Sequence, residues 1–420
     1  MKRALASAFA CLFLAVGCAG FRQARSFSGD FESVRLFSAP LESIVKEVHF
    51  AQDHRRFLVF MQNMDGRFEM AGEASGRFDW AGYSSESPDG DSGPFFKAGG
   101  VSFAIKDADG YRLFHRGLPG EAWEEIASIR HTASGAAYAA RNREGWFLVQ
   151  AIPGEGRLFE EALGPFAGKP VFAADEGFFV TVEPGPVVRL EGPTFSIPFP
   201  LSVMQENLGL SIGVPDLIAA ASGDGIFAVA LGSSSALPDA VNAFVITVRE
   251  DQENQAGFSP FPGFDRMTDP PVISADASRA AFVAEKEGKA RLVVADLKKP
   301  SFGIGPGFEG IAHPVFSPKN AEGACVVSLN GKFQLLRGEK AESGLFDFMA
   351  RPVFSADGDH LAVIAKRGGK WFVVLDGVEH GPVDCDSLEN PAFTEGGKSL
   401  LLNAVIGRHL YMVTLQGGGK

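Results

Sequence analysis

The chain has 420 residues, of which 51 are acidic and 39 are basic, so its formal net charge is −12. No cluster of Lys and Arg with interleaved aromatic residues offsets this charge, which argues against nucleic acid as a partner. Fifty glycines, 25 prolines and 38 phenylalanines, with almost no stretch of helical periodicity, predict many short strands joined by tight turns. The expected fold class is therefore all-β.

Residues 1–17 have the pattern of a lipoprotein signal peptide. Lys2 and Arg3 precede an apolar run of roughly fifteen residues, which is typical of a secretory signal rather than a spanning helix. Ala15-Val16-Gly17-Cys18 resembles the bacterial lipobox, and this resemblance predicts cleavage before Cys18 and lipidation of that cysteine. An ordinary signal peptide with a small-residue cleavage site is the alternative.

The residues after Cys18 indicate where the mature protein would reside. Ala19 resembles the residue that directs bacterial lipoproteins to the outer membrane, which predicts a lipid anchor on its periplasmic side. Residues 18–30 are small and polar enough to act as a tether. No later segment approaches the roughly eighteen consecutive apolar residues of a spanning helix, so membrane contact is expected through the N-terminal lipid only.

Cys325 and Cys385 are the remaining cysteines of the predicted mature chain. They fall at different points of adjacent repeats, the first in a predicted strand and the second in a connecting stretch. Two buried free thiols are the expectation. A disulfide, which an oxidising periplasm would permit, is the alternative.

A sequence unit recurs at intervals of about 40 residues, a period typical of propellers and solenoids. Its clearest copy is ArgProValPheSerAlaAspGlyAspHisLeuAlaVal at 351–363. Equivalent units are centred on Phe50, Phe96, His131, Phe172, Ile273, Phe316, Phe354 and Phe393, with a degenerate unit near 221–225.

Each unit predicts four strands. An apolar entry strand leads to an Asp-Gly or Gly-Gly turn, which supplies the positive φ that a hairpin needs, and two further strands and an irregular edge strand follow. Four strands per unit favour a β-propeller domain over residues 31–416, with a tail at 417–420. Eight blades are expected, with seven or nine left open because the span from Phe172 to Ile273 holds either one blade or two. Residues 33–38 are expected to supply the outer strand of the last blade and so close the ring.

The residue pattern of the repeat resembles that of a known family. ProXxxPheSerXxxAspGly, followed by LeuAlaVal and then a Trp/Tyr-Phe-Val-Val strand, is similar to the WD40-like propeller repeat of the TolB type. The resemblance covers residues 31–416, most clearly from 270 onward. It implies the propeller fold and an envelope setting, but no specific partner.

Other patterns in the sequence bear on catalysis and metal binding. Residues 209–213 fit the nucleophile elbow around Ser211, but the strand before it and the helix after it that this motif requires are not predicted. The eight histidines are scattered at blade spacing, so no metal or cofactor is expected. The Asp-rich runs at 106–110 and 357–360 lack the spaced oxygens of a calcium loop and are expected to be turns.

The tryptophans fall into two groups. Trp146 and Trp371 recur at one strand position, which predicts packing between blades. Trp80 and Trp123 lie outside that register in predicted loops and are expected to be exposed.

One set of residues predicts a binding site. In TolB-type blades the residue just before ProXxxPhe enters the innermost strand near the mouth of the channel, and here these positions include Lys169, His313, Arg351 and Asn390. This partly cationic ring is expected to bind an acidic peptide or a sugar acid. The alternative is that these are solvated loop residues without a shared ligand.

Together these features predict a monomeric, non-catalytic envelope lipoprotein that binds a protein, peptide or glycan. The alternative is a propeller enzyme, such as a lyase or glycoside hydrolase. Such an enzyme would need paired carboxylates or a His/Arg cluster converging on the channel. A role in assembling the outer membrane is a third possibility.

Overall fold

The computed structural model describes most of the chain from residue 27 to residue 416. The described ranges are 27, 30–50, 57–64, 68–72, 76–78, 95–97, 100–106, 109–131, 135–166, 169–172, 179–183, 187–191, 196–209, 211–212, 217–223, 226–236, 240–249, 256–261, 263–299, 301–394 and 397–416. The predicted signal peptide, Cys18, Ala19 and the tail at 417–420 lie outside these ranges, as do Trp80 and most of the tether. Within them, no helix is long and apolar enough to cross a membrane.

The first strand, β1 (Phe31–Ser38), belongs to the last sheet of the chain, and the sheets that follow it are numbered as blades in chain order. Blade 1 contains β2 (Ser43–Phe50), β3 (Phe57–Asn63), β4 (Phe68–Gly72) and β5 (Gly76–Phe78). Blade 2 contains β6 (Phe95–Lys97), β7 (Gly100–Lys106), β8 (Tyr111–His115) and β9 (Leu118–Pro119). Blade 3 contains β10 (Glu125–His131), β11 (Ala136–Asn142), β12 (Gly145–Pro153) and β13 (Leu158–Phe166).

Blades 4 and 5 flank the single described helix. Blade 4 contains β14 (Val171–Phe172), β15 (Phe179–Glu183), β16 (Val187–Glu191) and β17 (Ser196–Pro200), and α1 (Leu201–Leu208) follows. A short parallel pair joins β18 (Ser211–Ile212) to β21 (Ala240–Val241). Blade 5 contains β19 (Leu217–Gly223), β20 (Ile226–Gly232), β22 (Ala243–Arg249) and β23 (Ala256–Phe261).

The remaining strands form four sheets, in two of which the innermost strand is divided into two short pieces. Blade 6 contains β24 (Arg266–Met267), β25 (Val272–Ile273), β26 (Arg279–Lys286), β27 (Lys289–Asp296) and β28 (Ser301–Phe308). Blade 7 contains β29 (Gly310–Phe316), β30 (Gly323–Leu329), β31 (Lys332–Arg337) and β32 (Lys340–Ala341). Blade 8 contains β33 (Phe348–Met349), β34 (Val353–Phe354), β35 (Leu361–Arg367), β36 (Lys370–Leu375) and β37 (Val378–Val383). Blade 9 contains β38 (Ser387–Phe393), β39 (Ser399–Ile406), β40 (His409–Gln416) and β1.

The all-β propeller of four-stranded blades is confirmed. The described residues form nine sheets of four or five strands, which correspond to the eight clear sequence units and the degenerate one. The span from Phe172 to Ile273, which the sequence left open as one blade or two, contains the inner strands of both blade 4 and blade 5. The prediction of eight blades counted this span as one blade. The described sheets of four or five strands number nine, a blade number that the sequence left open.

The last blade combines the two ends of the described chain. β1 pairs antiparallel with β40, from Phe31 opposite Leu415 to Ser38 opposite His409. The predicted N-terminal strand is therefore the outermost strand of blade 9. Phe31 is buried in the same apolar cluster as Val413 and Leu415, so this pairing also buries side chains.

The hydrophobic core is divided among the interfaces between successive blades. One cluster joins Val326 and Leu335 of blade 7 to Val363 and Val374 of blade 8, and another joins Val245 of blade 5 to neighbours in blade 6. The second strand of a blade is covered on both faces, so it is a continuous apolar run rather than an alternating one. Leu361 to Ala365 in β35 are all buried for this reason.

The Ser-Xxx-Asp of the repeat organises the turn before that second strand. In blade 8 the Ser355 hydroxyl donates to Asp357 at 2.5 Å and accepts from the backbone N–H of His360 at 3.0 Å. Ser274, Asp276 and Arg279 repeat this arrangement in blade 6. These hydrogen bonds hold a compact turn, which confirms the prediction that the Asp-rich run at 357–360 is a turn.

Cys325 and Cys385 are both buried and both carry free thiols. Burial raises the pKa of the Cys325 thiol to about 12, so this side chain stays protonated at neutral pH.

Candidate functional site

The four predicted binding positions occupy one structural position in four blades. Each directly precedes a proline at the innermost strand, and at three of the four this is where the strand is interrupted, because proline has no N–H with which to continue the ladder. In β29 the register shifts between Ala312 and Val315, on either side of His313. Arg351 lies in the gap between β33 and β34, and Lys169 directly precedes Pro170 and β14. The backbone of Asn390 lies at the register shift of β38, and its side chain is outside the described part of the structure.

His313 has the most constrained geometry of this set. Its φ is 55°, in the left-handed region that few non-glycine residues adopt. The residue is exposed, yet surrounding protein lowers the pKa of its imidazole, and the neighbouring Arg351 cation lowers it further. An accessible group surrounded by protein is typical of a concave wall. The electrostatic effect also shows that His313 and Arg351, which belong to adjacent blades 7 and 8, lie close to each other.

Lys169 and Asp269 also lie next to innermost strands and have shifted pKa values. Lys169 is half-buried, and burial lowers the pKa of its ammonium group. Asp269 is half-buried in the gap between β24 and β25, and burial raises the pKa of its carboxyl. Sequence reasoning missed Asp269 because blade 6 has two prolines, Pro270 and Pro271, where blades 4, 7, 8 and 9 have one. The residue directly before the aligned proline is therefore Pro270, and Asp269 lies one position earlier. Counting two residues forward from Met267, as Arg351 follows Met349 in blade 8, would have found it.

The structure thus brings His313 and Arg351 together and places Lys169 in a different part of the ring, in blade 4. All three belong to innermost strands or the segments leading into them. A ligand with spaced negative groups could contact the Arg351 and Lys169 cations and the His313 ring, and Asp269 in blade 6 adds one acid beside blade 7. This arrangement suits the binding of an anion, because hydrogen bonds between a cationic side chain and a carboxylate are stronger than those between neutral groups.

Within the described part of the chain, neither Ser211 nor Ser355 has the surroundings of a catalytic nucleophile. Ser211 is exposed in β18, and α1 precedes it, whereas the nucleophile elbow needs a helix after the serine. His360 Nδ1 lies 2.6 Å from Asp376 Oδ2. The Ser355 hydroxyl, however, contacts the backbone of His360 rather than its ring. Among the described residues no three His, Cys, Asp or Glu side chains are grouped as metal ligands.

Trp123 is not an exposed loop aromatic, so that prediction is wrong. Its backbone pairs with Tyr111, and its ring packs on Phe147 with centroids 5.5 Å apart. The loop after β9 therefore folds back over blade 3 and carries the indole into the interface between blades 2 and 3. Sequence alone suggested a loop but not what the loop would cover.

Under this loop lies a cluster of buried polar atoms from three side chains. The Tyr138 hydroxyl is fully buried, and the Trp123 indole nitrogen and Glu160 Oε1 are buried beside it. Glu160 Oε2 accepts a hydrogen bond from the backbone N–H of Glu121 at 3.1 Å. Burial raises the pKa of the Glu160 carboxyl, although the nearby Tyr138 hydroxyl and the hydrogen bond from the Glu121 backbone oppose the shift.

The sheet order and the inner-strand geometry define a β-propeller protein. No protein-family model matches the chain, and no curated protein matches its sequence. Solved structures similar to it are WD40 and TolB propellers. They include the Dos1 propeller, at 10% identity over 91% of this chain and 96% of that one with a TM-score of 0.45. TolB from Acinetobacter baumannii is 14% identical over 69% of this chain and 79% of that one, with a TM-score of 0.30. The WD40 domain of SCAP from fission yeast is 7% identical over 92% and 99%, with a TM-score of 0.41.

Proposed function

We propose that this protein is a non-catalytic, monomeric lipoprotein of the bacterial cell envelope whose propeller binds a carboxylate-rich partner at its channel. The partner we favour is an acidic peptide segment of another envelope protein. The anchor would be the lipid on Cys18, with residues 18–30 as a tether on the periplasmic side of the outer membrane.

The observation that carries this proposal is the pairing of the Arg351 cation with the titratable imidazole of His313, from the adjacent blade, at one structural position. His313 and Arg351 both interrupt an innermost strand, and their charges interact. Arg351 lowers the pKa of the His313 imidazole, so an anion that neutralises Arg351 would also favour the protonated, cationic form of His313. Lys169 extends the cationic character to blade 4. A negative peptide would therefore gain more at this surface than the net charge of −12 suggests.

The test uses a fluorescently labelled hexaglutamate peptide and the full chain in detergent micelles. Binding is measured by anisotropy for the parent, for a His313→Gln/Arg351→Gln variant, and for Arg143→Gln, whose side chain is 95% exposed at the edge of blade 3. Binding that is lost in the double variant and kept in Arg143→Gln supports the proposal. Equal binding by all three, or no binding by the parent, contradicts it.

A second arm separates peptide from glycan. Hexagalacturonate offers carboxylates at a similar density on a sugar backbone, and it is titrated as a competitor. Displacement of the peptide by hexaglutamate but not by hexagalacturonate supports a peptide partner, whereas stronger competition by the sugar acid would replace it with an acidic glycan.

Lipid anchoring has its own test. Cys18→Ala is expected to abolish incorporation of labelled palmitate and to release the protein from the membrane fraction. Cys11→Ala is the matched control, because Cys11 lies inside the predicted signal peptide. Retention of label in Cys18→Ala would contradict the anchor without affecting the channel proposal.

A further inference from the structure

The outermost strand of blade 3 is a long open edge. β13 has nine residues and pairs, among the described strands, with β12 alone. The backbone N–H of Gly154 donates to the carbonyl of Arg157 at 3.1 Å, which fixes which β13 residues bond to β12, because bonded and non-bonded positions alternate in an antiparallel pair. The backbone groups of Glu160 and Ala162 consequently point away from β12.

The outer strand of the preceding blade leaves this edge accessible. In blade 2 the outer strand β9 is only Leu118–Pro119. A cavity of about 400 Å³ lies where a longer strand would continue, between Pro119 and Leu158 at the start of β13. At its other end, β13 is closed by Pro165, which cannot donate a hydrogen bond. The stretch from Leu158 to Gly164 is therefore the part of the edge that can receive another strand.

One face of this edge carries an alternating pattern of side chains. Phe159, Glu161 and Leu163 share a face because side chains alternate along a strand. Phe159 is 55% exposed, Leu163 is 58% exposed, and Ile152, opposite Phe159 on β12, is 49% exposed. Glu161 is exposed between the two apolar side chains. Exposed apolar residues beside an open edge are unusual, because soluble proteins normally protect their edge strands.

We propose that β13 binds an extended peptide segment of another protein, which adds to blade 3 as an antiparallel strand. The segment carries a Lys or Arg opposite Glu161 and an apolar residue two positions away on each side, opposite Phe159 and Leu163. Backbone hydrogen bonds to the Glu160 and Ala162 positions supply affinity, and the alternate side chains supply specificity. This surface lies on the rim of the ring, so the inference does not rest on the channel proposal.

Charge favours this occupant over a second copy of the chain paired at the same position. Symmetric antiparallel pairing of two β13 strands centred on Glu161 would place the two Glu161 carboxylates opposite each other, and like charges at that position are destabilising. A basic residue at the same position converts the repulsion into attraction. A peptide with an apolar, a basic and an apolar side chain at every second residue therefore complements the face of β13 that carries Phe159, Glu161 and Leu163.

The probe is the labelled peptide Ser-Val-Thr-Lys-Thr-Val-Ser, in which Val, Lys and Val share one face. The control peptide Ser-Thr-Val-Lys-Val-Thr-Ser has the same composition but places both Val residues on the face opposite Lys. Anisotropy titration of the full chain in micelles is expected to show at least fivefold tighter binding of the first peptide, because each mismatched cross-strand pair weakens binding.

Variants of β13 locate the site. Glu161→Lys is expected to weaken the Lys peptide about tenfold and to bind better the same peptide with Glu in place of Lys. Glu155→Lys, in the turn before β13, changes the net charge equally and is expected to leave binding unchanged. Ala162→Pro removes a donor on the open edge and is expected to weaken binding severalfold, with its melting temperature checked against the parent.

Hydrogen exchange gives a readout that does not depend on variants. Bound peptide is expected to slow exchange in residues 158–164. Equal binding of the two peptides, no binding, or protection elsewhere overturns the inference. A dimer in sedimentation with residues 158–164 protected in the absence of peptide also overturns it, in favour of self-pairing.

Discussion

At the scale of single residues, burial decides the chemistry of the ionisable groups on the inner strands and between the blades. His313, Lys169 and Asp269 all have pKa values shifted toward their neutral forms by burial. Glu160 shows the same effect between blades 2 and 3. The sequence identifies two of these four, Lys169 and His313, as candidates by position, but it cannot show which residues protein will surround.

The interaction between His313 and Arg351 predicts a measurable change in the pKa of His313 when Arg351 is replaced. Arg351→Gln removes the cation beside the imidazole, so the pKa of His313 should rise toward its ordinary value of about 6.5 while remaining below it, because burial still favours the neutral ring. The titration of the ring Hε1 resonance by NMR measures this. Arg143→Gln serves as the control and should leave the titration curve of His313 unchanged. An unchanged pKa in Arg351→Gln would show that the two residues do not interact.

Glu160 predicts a pH dependence of stability. Its pKa is raised in the folded protein, so its contribution to stability is fully present below the unfolded pKa of about 4.3 and is lost as the pH rises through the raised folded value. Glu160→Gln removes this titration and can still accept from the Glu121 N–H. The melting temperature of the variant relative to the parent should therefore increase from pH 4 to pH 7. A difference that is the same at both pH values would contradict the assignment.

At the scale of the elements, one hairpin turn serves both its own blade and the blade before it. Gly358 in the Asp-Gly turn has φ of +74°, as the hairpin prediction requires. Its carbonyl also accepts a hydrogen bond from the Ser317 hydroxyl of blade 7 at 3.2 Å. A Cβ built on Gly358 would lie 2.5 Å from both Ser317 Oγ and Lys319 Cβ. The glycine is thus required for its conformation and for contact between blades.

A pair of variants separates these two requirements. Gly288 in blade 6 has φ of +71° and no atom within 4 Å of a built Cβ, so Gly288→Ala should cost only the conformational penalty of about 1 kcal/mol. Gly358→Ala should cost about 2 kcal/mol more, because its Cβ meets atoms of blade 7. Urea unfolding of the two variants provides the measurement. Equal losses would mean that the blades can move apart at this contact without cost.

At the scale of the whole molecule, the ends of the described chain are held together by one strand pair. β1 covers β40 along its length, and Phe31 is only 8% exposed beside Leu415. Because each blade packs on its neighbours, loosening this strand should weaken blade 9 and its contacts on both sides.

The β1 pairing predicts unequal effects of two substitutions in one strand. Phe31→Ala should destabilise the protein by about 3 kcal/mol, because it removes a large buried side chain. Val34→Ala, at a position that is 56% exposed, should change stability by less than about 0.5 kcal/mol. Urea unfolding compares them, and hydrogen exchange in residues 409–416 should increase in Phe31→Ala alone. Similar stability of the two variants would mean that β1 contributes little to blade 9.

The repeat in the sequence is enough to predict the all-β propeller, because a period of about 40 residues with an Asp-Gly turn and alternating apolar strands has few other solutions. It also predicted the N-terminal strand of blade 9 and the equivalence of Lys169, His313, Arg351 and Asn390. Those inferences rest on local pattern, which survives in every copy of the repeat. The degenerate region between Phe172 and Ile273 lacked that pattern, so only the strand pairing showed that it contains two sheets.

Tertiary contacts determine which equivalent positions lie near each other and what covers each surface. The proximity of His313 to Arg351, the place of Asp269, the burial of Trp123 and the exposure of Phe159 and Leu163 all depend on how neighbouring blades pack. These contacts join residues of different repeats, and the irregular loops and unequal outer strands that produce them carry no periodic signal. Local sequence therefore specified each blade, whereas packing between blades specified the candidate sites.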